Sequence, residues 1–123
     1  MNSFTINSTK ETGLAMSNEQ ASIYQQVNNN IQEKDSFSLI TFPLSIAQQI
    51  VNALQDNNIT DFSISVDNEF AGRTDFSIMK VANVVVIKET YSFDVPTITD
   101  SINAIALTAN EALELSFAIE KEL

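Results

Sequence analysis

The chain reads as a single acidic α+β domain spanning residues 1–123. Its expected core is one mainly antiparallel sheet of about four to five strands with three helices, in the order β-α-β-α-β-β-β-α. Three observations lead there. Apolar residues recur every fourth position in 17–34 and at helical spacing in 45–54 and 97–122. Between Ile59 and Phe93 that period gives way to alternation rich in β-branched and aromatic residues. Only two glycines and two prolines interrupt a chain that is 44% hydrophobic, which suits a continuous core.

Phe4 and Ile6 alternate with polar neighbours and predict a first strand near residues 3–8, with Gly13 as the break that follows. Ser17, with Gln20 three places on, has the pattern of a capping box. Ile23, Val27 and Ile31 then recur with Tyr24 beside them, which predicts a surface helix over 17–34 with a narrow apolar seam among Gln and Asn. "DSFSLITF" (35–42) puts Phe37 and Leu39 on one strand face and Ile40 and Phe42 on the other, as in a covered strand, and Pro43 stops it. Ser45 can cap a second helix, with Ile46, Ile50, Val51 and Leu54 on one side and "QDNN" (55–58) at its end.

The β-rich half contains TDFSI twice, at Thr60–Ile64 and Thr74–Ile78. Each copy supplies an inward aromatic, an outward serine and an inward isoleucine, and the flanking residues differ. Two neighbouring strands meeting the same packing demand explain this better than a duplicated functional unit. The loop Asp67–Arg73 joins them. Val84 to Ile87 is too apolar for a strand with one wet face and belongs in the sheet's middle. Ala82-Asn83 before it reads as a tight turn lacking glycine, or as a bulge.

After Asp94-Val95-Pro96 a long helix is expected over Thr97–Glu122, capped by Thr99 or Asp100 and packed on the sheet. Ile102, Ile105, Ala106, Ala109, Leu113 and Phe117 fall in one arc of it. Leu107 and Leu115 project elsewhere, with Ala118 near them, and form a second stripe. Either the helix is buried on two sides or the stripe is a self-association surface.

Composition excludes more functions than it supports. The chain has no cysteine and no histidine. That removes disulfides, thiolate nucleophiles, zinc–sulfur sites, imidazole general bases and the commonest transition-metal ligand. Sixteen acidic residues face six basic ones for a net charge of −10, unevenly placed: −1 over residues 1–34 and −9 over 35–123. Such a field repels nucleic acid and anionic membranes and attracts basic surfaces. Solubility alone accounts for a surplus of this kind; engagement of a basic partner is the functional reading. No apolar run approaches the roughly 20 residues that cross a bilayer, and the N-terminus lacks the pattern of a signal peptide. The expected compartment is therefore the cytoplasm, a host's cytoplasm if the protein is viral.

Constellations for chemistry are thin. Asp67 with Glu69, or Asp61 with Asp75 across a hairpin, could act as acid–base pairs, but nothing in the pattern marks any of them as buried. "DNNITD" and "DNEF" lack the ligand spacing of a calcium loop. G-x-S-x-G is missing, so a serine nucleophile would depend on a lysine partner. Two isolated glycines cannot cradle a phosphate, and the basic residues are scattered. "NST" at 7–9 matches a glycosylation acceptor with no secretory signal beside it. No cofactor or metal is expected.

These readings converge on a non-enzymatic binding protein that blocks or neutralises a basic partner protein, in the manner of viral (phage) anti-defence or toxin-immunity proteins. The expected contacts are Asp67, Glu69, Phe70 and Arg73 in the loop, with Phe70 as the anchor, and Glu111 and Glu114 on the last helix. Neither nucleic acid nor a membrane is an expected direct partner. The alternative is a structural or assembly protein (virion component or chaperone) that forms a homo-oligomer through Leu107 and Leu115.

Overall fold

A computed structural model describes residues 2–7, 10–29, 34–67, 72–93 and 101–123, with side chains described over 11–27, 37–67, 72–93 and 101–123. Strands β1 (Asn2–Asn7), β2 (Lys10–Met16), β3 (Gln20–Asn29) and β4 (Lys34–Pro43) lead through a 3₁₀ turn at Leu44–Ile46 into α1 (Ala47–Gln55). Strands β5 (Asp61–Asp67), β6 (Arg73–Val81), β7 (Val84–Ser92) and β8 (Ser101–Thr108) lead into α2 (Ala109–Lys121). Each half is thus a four-stranded antiparallel meander in chain order, followed by a helix. Among the described residues, two sheets and two helices replace the one sheet and three helices expected, and an α+β composition remains.

The first correction is β3, which occupies the stretch expected to be a helix. A spacing of four residues shares a face in a helix and, being even, also in a strand. Ile23 and Val27 therefore could not decide between the two. In the strand, Ala21, Ile23 and Gln25 point inward and Tyr24 points out. Ser17 does accept from the backbone N–H groups of Glu19 and Gln20, both at 3.3 Å, but this closes the β2–β3 turn. Gly13 is no break either. It lies within β2 opposite Tyr24, whose ring lies where any Cβ at this position would stand. Residues 30–33 of the expected helix lie outside the described residues.

The second correction divides the expected last helix at Thr108; its first residues, 97–100, are outside those described. Residues 101–108 form β8, with Ile105 and Leu107 inward and Ile102, Ala104 and Ala106 exposed. Thr108 then caps α2. Its Oγ1 accepts the Glu111 N–H at 3.2 Å, and its own N–H donates to Glu111 Oε1 at 2.7 Å. This is a full capping box. Ala112, Leu115, Ser116 and Ile119 face the core, whereas Phe117, placed inward by the sequence reading, is 57% exposed.

Both sheets and both helices supply one hydrophobic core. Leu14, Ile23 and Ile40 align across the first sheet, and Phe62, Ile78, Ile87 and Ile105 across the second. Phe42 meets Phe76 edge to face at 6.1 Å, which joins the two sheets. Each fully buried side chain of this size contributes about 1.5–3 kcal/mol. The two TDFSI copies are neighbours, paired head to tail: Phe62 faces Ile78, Ser63 faces Ser77 and Ile64 faces Phe76. The β6–β7 connection is a two-residue turn in which Ala82 takes φ 53°. No helix among the described residues is long and apolar enough to cross a membrane.

Candidate functional site

The sequence pattern predicts a covered β4, yet among the described residues it pairs with β3 alone and presents a free edge. Its inner face, with Ile40 and Phe42, is buried; Phe37 (64% exposed) and Leu39 (44%) stand on the outer face. Backbone direction along the strand follows from two hydrogen bonds. Leu44 N–H donates to Glu19 O at 3.0 Å on the β3 side, and Thr41 N–H donates away from β3 to Glu89 Oε2 at 3.3 Å. Alternation then turns the peptide groups of Phe37 and Leu39 to the free edge as well.

Glu89 comes from β7, and its second oxygen accepts from Asn103 Nδ2 of β8 at 3.1 Å. One carboxylate thus links the edge of the first sheet to the face of the second. Beside it opens a cleft of about 780 Å³. Phe37, Leu39 and Thr41 form one side, and Val66, Thr74, Phe76 and Tyr91 of the second sheet form the other. Its acidic lining residues are Glu19, Asp67 and Glu89, and no lysine or arginine is among the described lining residues. On the open face beyond the edge, Tyr24 and Phe37 stack at 6.2 Å and 19°.

Of the residues expected to bind a partner, Asp67 lines this cleft at the exposed end of β5. Arg73 is exposed directly opposite Asp67 in the β5–β6 register and so on the same sheet face, with Nε 3.1 Å from Asp75, which also accepts from Ser65. Glu69 and Phe70 lie outside the described residues. Glu111 is buried in the capping box, and Glu114 is exposed on α2, outside the cleft lining. Leu107 (2% exposed) and Leu115 (0%) serve the core of this chain and offer no surface to a second copy. Asp61 and Asp75 are not brought together, because Asp61 pairs with Met79 and Asp75 with Ser65. No group of three or more metal-ligating side chains occurs among the described residues.

Sequence reasoning missed Glu89, though a signal was there. Val85 and Ile87 are buried, and Glu89 and Tyr91 continue the same parity, so a carboxylate stands on an inward position.

No family model and no curated protein matches the sequence. The architecture does have a counterpart. The crystal structure of WHY3 from Arabidopsis thaliana aligns over 98% of this chain and 83% of that one, with a TM-score of 0.63 and 11% sequence identity. At that identity the likeness is one of fold.

Proposed function

We propose that the protein is a non-enzymatic binding protein that engages a basic segment of a partner protein in the cleft beside β4 and so blocks or neutralises that partner. The observation that carries this reading is the lining: Glu19, Asp67 and Glu89 beside exposed Phe37 and Leu39, with no cation among the described lining residues. Charge of one sign in a low-dielectric cleft steers an oppositely charged partner, and a central aromatic supplies the desolvated anchor. Phe37 takes the anchoring role expected of Phe70. The setting is the cytoplasm, where a small acidic inhibitor of the anti-defence or immunity kind would meet its target.

Capture from the source cell's lysate at low and high salt, with mass spectrometry of the eluate, tests this. Basic proteins should be retained at low salt, released at high salt, and lost with the Glu19→Gln/Asp67→Asn pair. Retention indifferent to both salt and the substitutions contradicts it.

A second reading rests on the Tyr24–Phe37 stack, which lies on an open sheet face as a platform for bases of a single-stranded nucleic acid. The net charge of −10 opposes it. Fluorescence anisotropy with a labelled oligonucleotide at low salt separates the two. Binding abolished by Phe37→Ala and untouched by the carboxylate substitutions favours nucleic acid.

A further inference from the structure

We infer that the partner segment binds as an added strand on the free edge of β4, hydrogen-bonded to the backbone of Phe37 and Leu39, with basic residues at every second position. This rests on the reading of the cleft as a site for a basic segment and adds how that segment sits.

The edges of the molecule are not alike. On β8, Ala106 O accepts from Gln25 Nε2 at 3.0 Å and Thr108 N–H is held by Glu111, so side chains already occupy that edge. The outward positions of β5 are Asp61, Ser63, Ser65 and Asp67, polar side chains that discourage pairing. On β4 the Thr41 N–H is taken by Glu89, and Pro43 has no N–H to offer. Phe37 and Leu39 remain, with no hydrogen bond to another strand beyond β3 among the described residues and with large apolar side chains exposed. An unpaired edge of this composition is a template for β-strand addition.

The sheet geometry then dictates the pattern of the incoming segment. Side chains of an added strand alternate between the two faces of the first sheet. Those on the outer face lie beside Phe37 and Leu39 and are apolar. Those on the inner face project toward the second sheet, where the inward Glu89 lies and Asp67 marks the rim at the end of β5, and are lysine or arginine. Glu89 fixes where pairing stops, because it already fills the next outward position at Thr41.

The test uses the full chain with labelled peptides: an acetylated alternating Val-Lys hexapeptide, a block peptide of the same composition, and two alternating peptides N-methylated at every valine or at every lysine. Backbone pairing predicts that the alternating peptide binds best at low salt and that one methylated form loses at least ~10-fold in affinity while the other does not, since only one set of N–H groups faces β4. Amide exchange at Phe37 and Leu39 slows in that complex. If all four peptides bind alike and those amides gain no protection, strand addition is overturned and the acidic cleft stands. If none binds at low salt, the cleft reading falls as well.

Discussion

The Glu89 carboxylate on β7 holds the outward backbone N–H of Thr41 on β4, 48 residues away in the chain. It is the polar counterpart of the Phe42–Phe76 contact, and together they set one sheet against the other. Glu89→Ala leaves the edge amide to water and frees Asn103, and costs about 1–2 kcal/mol. It also lengthens the open edge of β4, so the variant should self-associate more readily than wild type. Chemical denaturation and light scattering check the two effects, and Glu89→Gln, which keeps an acceptor, should show less of each.

Gly13 is needed because Tyr24 crosses it. Gly13→Ala should destabilise by about 1–3 kcal/mol through overpacking. Tyr24→Ser should relieve most of that loss, so the pair is strongly non-additive in a double-mutant cycle.

Ala82 stands at φ 53°, a conformation that disfavours a Cβ. Ala82→Gly should stabilise by up to about 1 kcal/mol, after the added flexibility of the unfolded chain is offset. A rise of several degrees in Tm checks it, and a fall contradicts the turn geometry.

Leu107→Ala and Leu115→Ala should each cost about 2–5 kcal/mol, as buried truncations do. Neither should alter the association state of the folded protein, measured by light scattering under conditions where both variants remain native.

The sequence carries more of this fold than its periodicities alone suggest. The TDFSI strands, β7 in the sheet's interior, and the Ile50–Leu54 face of α1 follow directly from alternation, apolar runs and helical spacing. β3 does not, because an even spacing serves both periods, and its Gln and Asn residues suit a helix surface as well as a sheet face. The strand-to-helix switch at Thr108 was legible in T-A-N-E, whose first and last residues form the capping box, and in Leu107, which lies off the main helical stripe because it belongs to a strand. The candidate site was legible only in part. Asp67 could be placed beside a hairpin, but the cleft depends on β4 being an edge, and no local pattern reports how strands of different sheets are set against each other.

In the proposed function, opposite charge draws a basic segment into the cleft beside β4. Stopped-flow association of the captured partner, measured from low to physiological ionic strength, decides this. The rate should fall about tenfold or more across that range for wild type, and start low and stay flat for the Glu19→Gln/Asp67→Asn/Glu89→Gln variant. Equal rates for both proteins at every salt concentration would contradict it.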